Sequence, residues 1–241
     1  MLEALAAEKR PMGPTEVANI VNLDKGTVSR FLTTLETSGY VSRDSSNGTY
    51  RLTAKLLRLS RGFHGDQDLQ ALAGPILQRL RDDAGETVHL GIREGEDQVI
   101  YIDKMEPEVS VRLASAVGET MPLFCTALGK AILFALPPGE QAETLAAIQF
   151  EPRTERTIMS IPQLRQDLEE SRIRGFAIDD EENLEAVTCV AAPILGPQED
   201  VLGAVSISSP TFRVRDRILE LGAMVSQAAS DISIELGAAV S

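Results

Sequence analysis

No stretch of this chain approaches the ~18 uncharged apolar residues needed to span a bilayer, so no transmembrane helix is expected. The start, Met1-Leu2-Glu3-Ala4-Leu5, has neither a basic lead nor a long apolar run, and no secretory signal is read there. Cysteine is scarce: Cys125 and Cys189 lie far apart, which fits two reduced thiols in the cytoplasm. Histidine is equally scarce, and His64 and His89 do not combine with the cysteines at short metal-ligand spacings. A glycine-rich dinucleotide fingerprint is absent. These absences point away from a metal and from an organic cofactor.

Basic charge is also short, with 23 Lys and Arg against 36 Asp and Glu, a net of -13. The total argues against nucleic acid, but its distribution does not. Residues 1–62 carry a net of +3 and residues 63–241 a net of -16. A mildly basic head on an acidic body is expected if only the head meets phosphate. The length allows one large domain or two ordinary ones, and 43% hydrophobic residues supply proper cores.

The head reads as three helices and a hairpin. Residues 2–9 are helix formers with Leu2 and Leu5 on one face, broken by Gly13-Pro14. Thr15 is expected to cap a second helix that turns Val17, Ala18 and Val21 inward. After Asn22-Leu23, a third helix is expected from Asp24 or Lys25 to Ser38, ended by Gly39. Val28, Phe31 or Leu32, and Leu35 form its apolar stripe. Lys25, Thr27, Ser29, Arg30, Thr33 and Thr34 form the polar face, with no acid between Asp24 and Glu36. An ordinary solvated face alternates Glu and Lys; short polar groups and cations suit a major groove. Tyr40–Arg43 and Tyr50–Leu52 read as strands around the turn signal Asn47-Gly48. Arg43 and Arg51 would then flank a wing within reach of phosphates.

A helix is expected over Thr53–Arg61, and another over Asp68–Asp82 carrying Leu69, Leu72, Ile76, Leu77 and Leu80. Gly74-Pro75 should kink or split the latter, which reads as a connecting helix with part of a dimer contact. Strands follow at Glu86–Ile92, Gln98–Lys104 and Val109–Leu113. Thr126 should cap a helix that Pro137-Pro138 stops near Leu136. A helix at Gln163–Arg174, strands at Phe176–Asp179, Val187–Ile194 and Val201–Ser208, and a helix over 213–237 complete the body. The fold class is α+β, and the order implies a mixed sheet with helices packed on it.

Four ordered stretches resemble the IclR family of bacterial regulators. They are Asn22-Leu23-Asp24-Lys25-Gly26-Thr27-Val28-Ser29-Arg30 with its wing, Pro122 to Ala131, Arg174 to Asn183, and Cys189-Val190-Ala191-Ala192-Pro193-Ile194. The resemblance implies a winged helix-turn-helix (1–62), a linker helix (63–82) and a GAF-like α/β effector-binding domain (83–241). It also implies homodimers, or homotetramers, on double-stranded operator DNA. Two departures stand out: Phe124 where a His is common, and Leu184-Glu185-Ala186 where small or Pro-Gly residues are common.

Period-two alternation places Val187, Cys189 and Ala191 on one strand face and Ala204, Ser206 and Ser208 on another, with Val205 and Ile207 turned away. Free N–H groups of Ala127, Leu128 and Gly129 at the start of the Thr126-capped helix would suit an organic carboxylate. The resemblance implies that Asp179, Cys189, Ser206, Ser208 and the Ala127-Leu128 backbone line an effector pocket walled by Leu113, Met121 and Val187. The expected function is a transcriptional regulator, a repressor before an activator, modulated by a small organic acid. An enzyme using Cys125 or Cys189 with His89 and Asp179, a metal sensor, and a DNA binder whose second domain only dimerises are the weaker alternatives.

Overall fold

The computed structural model describes residues 1–8, 10–56, 66–107 and 114–238, and the chain divides into two compact units, Met1–Gln67 and Asp68–Ser241. In the first, helices α1 (Leu2–Ala7), α2 (Pro14–Val21) and α3 (Lys25–Thr37) precede strands β1 (Val41–Arg43) and β2 (Tyr50–Leu52). Leu5, Met12, Val17, Ala18, Val28, Leu32, Val41 and Tyr50 make its core. Helix α2 starts before Thr15. Pro14, whose fixed φ suits a first helical position, follows Gly13, and the Gly13 N–H donates to Glu16 Oε2 at 2.8 Å. Helix α3 is capped by Asp24 Oδ1, which accepts the Thr27 N–H at 2.9 Å. Leu32 faces the core, while Phe31 is 54% exposed.

Strands β1 and β2 pair antiparallel, Ser42 opposite Arg51 and Arg43 opposite Tyr50. The loop between them is wider than a two-residue turn. Asp44 and Asn47 side chains hold Ser46 and Thr49, and Gly48 takes φ +71°. Met12 adds an isolated bridge to Tyr50, a contact that no periodicity announces.

The second unit has one six-stranded sheet in the order β5-β4-β3-β8-β7-β6. Its strands are β3 (Thr87–Glu94), β4 (Gln98–Met105), β5 (Thr120–Pro122), β6 (Ala177–Asp180), β7 (Val187–Leu195) and β8 (Val201–Pro210). Every pairing is antiparallel, which corrects the expected mixed sheet. The reason lies in the connections: β3–β4, β6–β7 and β7–β8 are joined directly without a helix between them, and the helical segment from β5 to β6 brings the second group back so that β8 runs antiparallel to β3. The expected strand at Val109–Leu113 falls outside the described residues, as does most of the expected helix at Thr53–Arg61.

Helices cover both faces. Helix α4 (Asp66–Ala84) and α9 (Ile218–Glu235) pack on Val88, Leu90, Val190, Ile194, Val205 and Ile207. Helix α5 (Ala127–Ala135), α6 (Pro138–Ala147) and α7 (Ile161–Arg174) pack on the other side, against Val99, Tyr101, Ala177, Ala191 and Ala204. Pro75 does not split α4, because Leu69, Ala73, Ile76, Leu77 and Leu80 remain packed on both sides of it. Pro137-Pro138 does stop α5, but Pro138 also opens α6 from its first turn. The last expected helix is broken into α8 (Thr211–Val214), a 3₁₀ turn at Arg215–Arg217, and α9.

Helix α5 lies very close to the chain before it. A Cβ on Gly129 would meet the Leu123 carbonyl oxygen at 2.2 Å, so only glycine allows this approach.

Candidate functional site

In the first unit the polar face of α3 is built by exclusion. Val28 and Leu32 turn inward, which leaves Lys25, Arg30 and Thr33 exposed, and Thr27 and Ser29 half-buried at the flanks. Arg30 Nη2 donates to Thr27 Oγ1 at 3.3 Å, and Thr33 Oγ1 donates to the Ser29 carbonyl at 2.9 Å. Both hydroxyls are thus held in place before any partner arrives. Arg43 and Arg51 occupy opposite faces of the hairpin. Arg43 sits 5.8 Å from the Tyr50 ring, and Arg51 Nε donates to Ser42 Oγ at 3.1 Å.

In the second unit a cavity of about 220 Å³ opens on the α5 side of the sheet. Strand register creates it: Asp179 pairs with Cys189, and Cys189 with Ser208. These three, with Met121 and Val187, line the cavity, so five of the expected residues come together. The other described ones are not among its lining residues. Ser206 pairs with Ala191 and His89 and is 2% exposed. Ala127 and Leu128, the first residues of α5, are buried in the core, and the Gly129 N–H is already donated to Thr126 Oγ1 at 3.1 Å. That third N–H was expected to be free. Leu113 lies outside the described residues.

The sequence does not single out Tyr101, Ser115, Glu119, Arg153 or Asn183 as lining; His89 enters there only in the catalytic alternative, and Leu184 as a departure from the family pattern. The register of β3 against β8 puts His89 opposite Ser206. Arg153 sits in an irregular loop, where no periodicity signals it.

The polar groups are organised. His89 Nε2 lies 2.7 Å from Ser115 Oγ, its Nδ1 lies 3.4 Å from Ser208 Oγ, and its ring stacks on Tyr101 at 4.7 Å. Burial, with Lys104 nearby, pushes the imidazole down to about 3, so it stays neutral. Asp179 Oδ1 accepts the N–H groups of Glu182 (2.8 Å) and Asn183 (3.3 Å). Burial, and then the charge of Glu182, pushes Asp179 up to about 7. Beside it Lys130, fully buried, donates to Glu182 Oε1 at 2.5 Å and lies 3.0 Å from Asp167 Oδ2.

The chemistry is that of binding. Burial pushes the Cys125 thiol up to about 12 and raises Cys189 as well, so neither is poised as a thiolate nucleophile. No cluster of three or more metal-ligating side chains occurs among the described residues, and no helix there is long and apolar enough to cross a membrane.

Comparison with known proteins finds matches to both parts of the chain. Residues 1–45 match the IclR helix-turn-helix domain, and residues 63–234 match the C-terminal domain of the bacterial transcriptional regulator IclR. The transcriptional regulator KdgR of Escherichia coli is 36% identical over 98% of this chain and 90% of its own. The acetate operon repressor of Salmonella typhimurium is 32% identical over 98% and 87%. An IclR homologue from Microbacterium hydrocarbonoxydans, solved in complex with 4-hydroxybenzoate, has a TM-score of 0.83 over 98% of this chain and 97% of that one. At 19% identity that last likeness is one of fold. A helix-turn-helix head, an antiparallel sheet flanked by helices, and full-length relatives that regulate transcription lead to one statement: the chain belongs to the IclR family of DNA-binding bacterial transcriptional regulators.

Proposed function

We propose that this regulator works in the cytoplasm as a homodimer or homotetramer that represses transcription from an operator, and that a small organic acid in the cavity modulates its hold on DNA. The observation that carries the reading is a cavity whose floor is Asp179, Cys189 and Ser208, built into a chain whose α3 presents an acid-free polar face. The 4-hydroxybenzoate held by the Microbacterium homologue supports a carboxylate as the ligand class. The name of the acetate operon repressor supports repression as the output.

In this reading Lys25, Thr27, Ser29, Arg30 and Thr33 meet the major groove, and Arg43 and Arg51 meet phosphates. Two copies are needed because one short helix reaches few bases; paired half-sites raise affinity and specificity together. Signal has a short path inside the second unit. Cys189 and Ser208 face the cavity, while their neighbours Val190 and Ile207 pack in the core that includes α4. Catalysis has no part in it.

The experiment is a thermal-shift screen of small carboxylates, followed by DNA binding with each compound that raises the midpoint. Cys189→Leu and Ser208→Leu should keep DNA binding and lose the response. A full response in both variants places the effector site elsewhere.

A further inference from the structure

We infer that the cavity takes a short carboxylate carrying a hydrogen-bond donor, a hydroxyl or an ammonium, at its other end, with Arg153 holding the carboxylate and Asp179 the donor. The inference rests on the effector reading above and assigns the chemistry of its ligand.

Among the described lining residues Arg153 is the cation. Its Nε donates to the Asn183 carbonyl at 3.3 Å, which fixes the plane of the guanidinium. Its two Nη groups have no acceptor among the described residues, and no carboxylate there comes within ion-pair distance of it. A planar, oriented fork of unused N–H groups matches a carboxylate bidentately. The start of α5, where the sequence suggests an anion, is instead buried among apolar side chains.

Asp179 stands on the other side of Asn183 from Arg153. It is 2% exposed and lines the cavity, and both of its hydrogen bonds fall on Oδ1. Oδ2 has none among the described residues. An acceptor in the cavity lining without a donor is a place for one to arrive. Three carboxylates, Asp167, Asp179 and Glu182, surround the single ammonium of Lys130, so this end is short of positive charge. Glu119 adds another carboxylate to the wall. His89, neutral and engaged through both ring nitrogens, supplies no cation there. A second carboxylate on the ligand would be repelled beside Asp179, whereas a hydroxyl or ammonium would be held. The cavity is smaller than the ~300 Å³ at which drug-sized pockets begin, so the ligand is short.

The test is calorimetric titration of the full chain with two matched sets of compounds. One set is 4-hydroxybenzoate, 4-(aminomethyl)benzoate, benzoate and phenol. The other is 5-hydroxypentanoate, 5-aminopentanoate, pentanoate and pentan-1-ol. At least one compound bearing both groups should bind at least about tenfold tighter than its partners lacking either one. Arg153→Gln should weaken that compound by about 10- to 100-fold, and Arg153→Lys by less. Arg153 is exposed, so both variants should fold. Comparing the hydroxyl with the ammonium compound identifies the donor. The assignment is overturned if benzoate or pentanoate binds as well as its donor-bearing partner, if Arg153→Gln binds unchanged, or if no compound bearing both groups binds. Binding lost in Ser208→Leu but intact in Arg153→Gln defeats this assignment alone; binding intact in Ser208→Leu defeats the cavity as the effector site.

Discussion

Arg153 and Asp179 grip the two sides of one residue: Asp179 Oδ1 takes the Asn183 N–H, and Arg153 Nε donates to the Asn183 carbonyl, each at 3.3 Å. Asp179 therefore holds the turn after β6 as well as the cavity floor. Asp179→Ala leaves the N–H groups of Glu182 and Asn183 without an acceptor and should cost about 2–3 kcal/mol in urea unfolding. Asp179→Asn keeps an acceptor oxygen and should cost clearly less. Equal losses in the two variants would show that Oδ1 does not hold the turn.

The same residue makes stability depend on pH, in opposition to His89. Asp179 rises from 3.8 to about 7 on folding, so the folded chain binds more protons and stability falls as pH climbs between those values. His89 falls from 6.5 to about 3, so the unfolded chain binds more protons and stability rises with pH up to 6.5. From about pH 4 to 6.5 the two slopes cancel in part. Removing the acid by Asp179→Asn should steepen the rise of stability with pH in this window by about 1 kcal/mol per pH unit. His89→Gln should shift the slope the other way. Denaturation series at half-unit pH steps decide it, and parallel curves for all three proteins contradict it.

Lys130 has no exposure and stands between Glu182 and Asp167. Cutting it to Met strands a buried carboxylate and should cost about 3–5 kcal/mol, or lift Glu182 into its protonated form. Lys130→Met with Glu182→Gln should recover part of the loss, as a double-mutant cycle on the unfolding midpoint would show. Strictly additive losses would mean that the pair is not coupled.

Gly129 sits inside a helix, where alanine ordinarily stabilises by about 1 kcal/mol. Here the added methyl meets Leu123 main-chain atoms at 2.2–2.6 Å, and main chain cannot rotate aside. Gly129→Ala should therefore destabilise, by ~3 kcal/mol or more. A raised melting midpoint would contradict the close approach of α5 to Leu123.

Much of this architecture was legible in the chain. Asp24 and Thr126 mark helix starts because their side chains accept early N–H groups, and period-two alternation separates Cys189 and Ser208 from Val190 and Ile207. Long-range pairing was not legible. That β8 lies between β3 and β7 is decided by burial on both faces of the sheet, so neither its antiparallel character nor the His89–Ser208 contact has a local signal. The cavity shows the same limit. Asp179, Cys189 and Ser208 are strand positions, whereas Arg153 and Asn183 come from irregular chain and meet only in three dimensions. The expected anion site at α5 is set apart from the cavity lining: Thr126 Oγ1 takes the Gly129 N–H, and Ala127 and Leu128 are buried among apolar side chains.

The central claim is that α3 reads DNA and the cavity governs that reading. Fluorescence anisotropy tests it on DNA selected by the full chain from a random pool, with wild type, Arg30→Ala and Ser208→Leu compared with and without a carboxylate that stabilises the wild type. The account predicts that Arg30→Ala weakens binding by about 10- to 100-fold, and that Ser208→Leu binds DNA normally but no longer responds to the carboxylate. Wild-type affinity in Arg30→Ala, or a full response in Ser208→Leu, would contradict it.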